Sequence, residues 1–262
     1  MTSSTYGICN LSIVPVRAEP SDKSEITTQL LFGDCFEIIQ KTDKWVEIKT
    51  AYEDYTGWID VKQYVEAEYE EYQKFSKAEN VLSLEVYHAV KNISKDSYLY
   101  LVAGCSIPVS DQGKFTLNEE EYQVEGTSIK LPESAFKDKV ISCSKFFLNA
   151  PYLWGGRSVF GIDCSGFTQI VFKLFGVRLK RDAWQQAEQG ELISSLENVQ
   201  AGDLAFFDND QGRITHVGIV ISSTQIIHAS GRVKIDSLNP NGIYSEELQR
   251  QTHKLRVIKR YV

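Results

Sequence analysis

The spacing of apolar residues changes character near residue 133, and that change limits what the chain can fold into. Before it, apolar runs are short, broken by polar turns and strand-like. Residues 44–49 alternate as a half-buried strand does, and runs at 13–17, 35–39 and 55–59 lie close by, a spacing that suggests a small β-barrel over 1–65. Residues 66–80 are charged and lack Gly and Pro, so they read as a connector. Strand-like runs return over 81–132 and predict a second small β unit. After 133 the spacing turns helical over 135–149, 164–175 and 182–188, then strand-like again at 204–207, 217–221 and 225–228. Helices followed by strands predict an α+β domain with an antiparallel sheet over 133–262.

Charge and cysteine usage narrow the function. The net charge of −7 argues against nucleic-acid binding, which favours a basic face. Five cysteines at wide spacing, with no CxxC pair, predict neither a zinc site nor a disulfide framework, and no metal or other cofactor is expected. An odd cysteine count fits a reducing compartment. The first residues lack the charged and apolar regions of a signal peptide, and no run of about 18 apolar residues predicts a membrane span. The expectation is a cytoplasmic monomer without nucleic-acid or membrane partners.

One cysteine stands apart. Cys164 lies in Gly161-Ile162-Asp163-Cys164-Ser165-Gly166, where the helical spacing of Phe167, Ile170, Val171 and Leu174 begins, and Gly176 follows where a C-terminal cap belongs. A thiol at a helix start faces unpaired N–H groups and partial positive charge, both favouring the nucleophilic thiolate. The other reading of any free cysteine is an inert core residue, and Cys9, Cys35, Cys105 and Cys143 are read that way. His216 opens one strand and His228 ends the next, with a turn near 222–224 between them. A hairpin there sets the two imidazoles side by side as base and orienter, the companions a thiol nucleophile needs. Read singly, each is a polar strand terminus. His88 and His253 lack such context and read as surface or satisfied residues.

These segments resemble the signature of NlpC-type cell-wall peptidases. The resemblance rests on Tyr152-Leu153-Trp154-Gly155-Gly156, the Cys164 segment, Gly202-Asp203-Leu204-Ala205-Phe206-Phe207, Thr215-His216-Val217-Gly218-Ile219 and Ile227-His228-Ala229. It implies a papain-like catalytic domain with Cys164 as nucleophile, His216 as base and His228 as orienter. It further implies a substrate pocket using Tyr152, Asp163 and Ser165. Asp163 either takes a substrate ammonium or complements the helix dipole. The segment 16–33, with Trp45-Val46 and Gly57-Trp58-Ile59, resembles bacterial SH3-like domains. The layout resembles γ-D-glutamyl-L-diamino-acid endopeptidases that carry two such domains before the catalytic one. That likeness makes Glu25 and Tyr55 the candidates for selecting a free N-terminal L-alanine. Their other reading is an exposed loop glutamate and a strand-end tyrosine.

The implied substrate is a murein-derived peptide cut between γ-D-glutamate and diaminopimelate, in cell-wall peptide recycling. The rival readings are an exported hydrolase of intact peptidoglycan, a non-catalytic binder of wall peptides, and an acyltransferase of related fold.

Overall fold

The computed structural model describes residues 5–78, 81–82, 84–110, 112–125, 128–129 and 131–262. The chain divides into two compact units, 1–130 and 131–262.

In the first unit, β1 (Thr5–Ile8), β2 (Ile13–Arg17), β3 (Ile26–Leu31), β4 (Cys35–Lys41), β5 (Trp45–Thr50), β6 (Thr56–Asp60) and β7 (Val65–Ala67) form one antiparallel sheet. Its order is β3-β2-β6-β5-β4-β1-β7. Alternation along β5 turns Val46, Ile48 and Thr50 inward. Val46 and Ile48 there meet Cys9, Val14, Val16, Leu30, Phe36 and Ile59 in a fully buried core. Helix α1 (Tyr69–Ser76) follows, with Phe75 buried. Strand β8 (Val81–Leu82) pairs with β13 (Ser128–Ile129). Between them β9 (His88–Asn92), β10 (Ser97–Leu101), β11 (Lys114–Leu117) and β12 (Glu120–Glu125) form a second sheet, ordered β10-β9-β12-β11. Phe32 of the first sheet region, Phe75 of α1, and Phe115 and Tyr122 of the second sheet interlock as aromatic pairs.

That seam lies inside the first compact unit, over the stretch that the sequence reads as two small domains and a connector. The connector, 66–80, is partly β7 and partly α1; its residues 79 and 80 lie outside the described residues, as do 1–4 of the first expected domain and 83, 111, 126, 127 and 130 of the second.

The second unit opens with α2 (Phe136–Phe146), the short pair β14 (Arg157–Ser158) and β15 (Gly161–Ile162), then α3 (Cys164–Lys173) and α4 (Ala183–Ala187). Its sheet comprises β16 (Glu191–Ile193), β17 (Leu204–Asp208), β18 (Ile214–Ser222), β19 (Gln225–Ser230), β20 (Arg232–Asn239), β21 (Gly242–Ser245) and β22 (Arg250–Arg260). The order is β16-β22-β17-β18-β19-β20-β21, all antiparallel, and β21 pairs back onto β22. Six strands therefore close into a ring, with β16 outside it. Ala205, Phe207, Val220, Ile226, Leu238, Ile243 and Ile258 fill the inner face. Helical content of the chain is confined to α1 to α4 and short single turns; most of the ordered structure is sheet. No helix of the described residues is long and apolar enough to cross a membrane.

Candidate active site

Helix α3 owes its start to Asp163, whose backbone is extended and whose Oδ1 accepts the Gly166 N–H at 2.7 Å. All ten residues of α3 are buried. Two of its polar members are tied down: Thr168 Oγ1 lies within hydrogen-bond distance of the Ser165 carbonyl and of Gln186 Oε1, and Gln169 Nε2 donates to the Leu179 carbonyl. Cys164 is thus the first residue of a helix fixed on every side.

Asp163 serves this helix start more fully than the sequence suggested. Oδ2 accepts the Gly155 N–H at 2.9 Å, and Arg181 bonds both oxygens, at 2.6 and 3.1 Å. Arg181 also donates to Ser165 Oγ at 2.9 Å and is itself 1% exposed. A carboxylate offers about four acceptor positions, and here the protein's own groups fill them. A substrate ammonium would have to displace an internal partner to reach Asp163. Arg181 escaped the sequence reading because nothing local links it to position 163. Tyr152 is half-buried, its N–H held by the Gly231 carbonyl. Burial, then the proximity of Cys164 and Asp163, pushes its phenol upward.

The two histidines meet as the hairpin predicted. β18 and β19 run antiparallel with Ile219 opposite Ile227 and Val220 opposite Ile226. His216 Nε2 lies 2.8 Å from His228 Nδ1. Gly218 makes that approach possible. A Cβ there would stand 2.9 Å from His228 Cβ and 2.7 Å from Ile226 Cδ1. Inner-face alternation continues through His216 and His228 to Asp236 on β20. His228 Nε2 lies 3.1 Å from Asp236 Oδ2, and the Lys234 ammonium reaches the same oxygen at 3.2 Å. Burial alone would raise the Asp236 carboxyl, but the bonds to His228 and Lys234 outweigh it and hold it below the usual range.

An ionised Asp236 fixes every proton in the row. It must accept from His228 Nε2–H, so neutral His228 accepts at Nδ1 from His216 Nε2–H. His216 is left with its lone pair on Nδ1. A turn at Gly231, which takes φ +72°, sets Lys234 opposite His228 and Asp236 on the adjoining diagonal. The Ser230-Gly231-Arg232 turn was the available signal for Asp236.

Burial governs the electrostatics. Cys164 is pushed up to about 12, by burial first and by the Asp163 charge second, against the Val217 and Ser165 N–H groups and Arg181. The helix-start argument for a standing thiolate is therefore outweighed by desolvation. His216 is held well below its ordinary value by burial, then by His228 and His253. The thiol and the imidazole both rest neutral. Such a set can deprotonate the thiol as it attacks and return the proton to a leaving amine. Glu25, exposed in the loop before β3, and Tyr55, half-buried just before β6, belong to the first unit. His253, read from sequence as a bystander, lies with its ring stacked on His216.

The model of the NlpC/P60 family matches residues 149–252, and that of the bacterial dipeptidyl-peptidase Sh3 domain matches 16–63. A gamma-D-glutamyl-L-lysine dipeptidyl-peptidase of Bacillus cereus is 30% identical over 256 residues, covering 87% of this chain and 74% of that protein. The Bacillus subtilis protein of the same name is 29% identical, over 85% and 79%. Dipeptidyl-peptidase 6 of Lysinibacillus sphaericus is 27% identical, over 88% and 91%. The crystal structure of an NlpC/P60 family protein from Bacillus cereus shares the fold, with a TM-score of 0.80 at 22% identity over 98% of this chain and 99% of that one.

Proposed function

The chain belongs to the NlpC/P60 family of cysteine peptidases, and on that premise we propose that it releases a dipeptide from murein peptides with a free N-terminal L-alanine. The bond cut is the amide from the γ-carboxyl of D-glutamate to a diamino acid. Three relatives are named dipeptidyl-peptidases, and two of those names specify a γ-D-glutamyl-L-lysine bond. Removal of two residues from an end requires recognition of that end.

Cys164 is the nucleophile. Its Sγ attacks the γ-carbonyl while His216 Nδ1 takes the thiol proton. N–H groups at the start of α3 face the developing oxyanion. The imidazolium then protonates the leaving amine, and the dipeptide remains as a thioester. Water, deprotonated by His216, hydrolyses the thioester and restores the thiol. His228 and Asp236 hold the base in its tautomer. On this reading the helix-start cysteine and the sheet-borne histidine form a papain-like pair. Tyr152 lines the site, while Asp163 and Ser165 shape it from behind. Glu25 and Tyr55 select the free N-terminus, and peptides bearing one are fragments already cut from the wall, which favours recycling over remodelling.

The observation that carries this reading is the row His216–His228–Asp236, closed at 2.8 and 3.1 Å beside Cys164's family motif. Cys164→Ala should lower turnover of L-Ala-γ-D-Glu-L-Lys and of its diaminopimelate counterpart by about 10⁴-fold or more. Retained turnover sinks the mechanism. Equal cleavage of the N-acetylated peptides by the wild-type protein sinks the free-terminus reading.

A further inference from the structure

His253 lies on β22, in the stretch of that strand that closes the ring by pairing with β21, directly opposite Ile243. Its ring centroid is 4.1 Å from that of His216, and the planes are 24° apart, a face-to-face stack. It also meets His228 edge-on at 5.7 Å and Phe207 edge-on at 5.9 Å. Phe207 in turn tilts against His216 at 5.8 Å. The His216 ring is therefore bounded by His253 on one face, Phe207 beside it and His228 at its Nε2 edge. None of these three groups is bonded to Nδ1, the atom the proposed reaction uses. Among the described residues no group of three or more His, Cys, Asp or Glu is arranged to hold a metal ion. Stacked rings present π-faces to each other, which is packing geometry.

We propose that His253 is a positioning residue for the reaction: by stacking on His216 it fixes the plane of that ring, aims Nδ1 at Cys164 and keeps water off the imidazole face. The proposal rests on the catalytic reading of Cys164 and His216 given above. The groups facing His253 are His216 on β18, His228 on β19, Lys234 and Asp236 on β20, and Phe207 on β17. Burial, then His228, with Lys234 adding to them and Asp236 opposing, brings His253 down to about 4. At neutral pH it stacks as an uncharged ring, which spares the His216 imidazolium formed during attack a like charge on its face. Its Nδ1 is anchored at 2.9 Å to Thr252 Oγ1.

Two substitutions separate stacking from mere filling of space. His253→Ala opens the face of His216 to water, which stabilises its imidazolium and frees its plane. His253→Phe keeps a flat ring in place. In the full chain, kcat on the tripeptide should fall about tenfold in His253→Ala with KM changed less than twofold, and should recover to within about threefold of wild type in His253→Phe. Iodoacetamide supplies a readout that needs no substrate. The alkylation rate of Cys164 is followed against pH, with Cys164→Ala subtracting the four other thiols, all buried. A better-solvated His216 holds a proton more readily, so thiolate appears at lower pH. The alkylation midpoint should move down by about half a pH unit or more in His253→Ala and stay within about 0.3 units in His253→Phe.

A midpoint that stays or rises in His253→Ala, or an unchanged kcat, overturns the proposal. So does a His253→Phe variant as impaired as His253→Ala. If His253→Ala does not fold, judged by its thermal melt, His253→Gln takes its place with the same expectations. Unchanged turnover of the tripeptide by Cys164→Ala sinks the catalytic reading itself, which separates the two failures.

Discussion

Asp236 is the residue on which the proton assignments depend. It is buried, it receives His228 on one oxygen, and Lys234 shares that oxygen. Replaced by alanine, it leaves His228 free to turn its proton to Nδ1, where it opposes the proton of His216 Nε2. The His216 lone pair would then be misplaced in part of the population. Asp236→Ala should lower kcat by about 10- to 100-fold with KM little changed, measured in steady state on the tripeptide. Equal effects on kcat and on binding alone would argue for a collapsed site instead. Cys164, His216 and His228 were legible because each sits in a local pattern, a helix start and the two strands of a hairpin, although β18 begins two residues before His216 and β19 runs two residues past His228. Asp236, His253 and Arg181 were not. Each acts through a partner brought close by strand register or loop packing, and position along the chain alone does not reveal that.

Helix α3 and the ring of strands show the same division. The apolar stripe of α3 and its Asp163 cap announce the helix, and the structure starts it at Cys164. The last three strands were harder to see. β22 carries His253, Lys254, Leu255 and Arg256 in succession, and its charged members face outward while the histidine and leucine turn inward. A segment so rich in charge reads as surface until the register with β17 and β21 is known. The helix start itself depends on an ion pair with almost no solvent contact: side-chain exposures are 1% for Arg181 and 8% for Asp163. Arg181→Met should cost about 3 kcal/mol, because it leaves a buried carboxylate without its counter-ion. Adding Asp163→Asn, which can still cap the helix, should recover much of that loss. Urea unfolding at pH 7 measures both, and a neutral single variant would refute the assignment.

Across the whole molecule, buried titratable groups set the pH range in which the fold is stable. His216, His228 and His253 all have folded values below the ordinary histidine value, burial being the largest cause for each. The unfolded chain therefore binds more protons below about pH 6.5. Stability should fall from there towards pH 4, with a slope of up to about 1.4 kcal/mol per pH unit for each proton. Asp236, whose folded value is depressed, adds a loss at still lower pH. On the alkaline side Cys9, Cys143 and Cys164 are raised, again chiefly by burial. Their contribution is intact below about pH 8.5 and is lost as the pH rises further. Thermal melts should show a plateau between about pH 6.5 and 8.5, and His253→Phe should flatten the acid limb. A midpoint that rises on acidification would contradict the neutral burial of the histidines.

The closure of the sheet by β21 and β22 matters beyond the site it holds. An open sheet presents rows of unsatisfied N–H and C=O groups to other chains, and such edges are where folded proteins join into aggregates. In this ring each of the six strands has neighbours on both sides, and the strand left outside, β16, is only three residues long. Among the described residues of the second unit, the native sheet offers little template for another copy of the chain. Self-association through this sheet would have to begin from molecules whose ring has already opened.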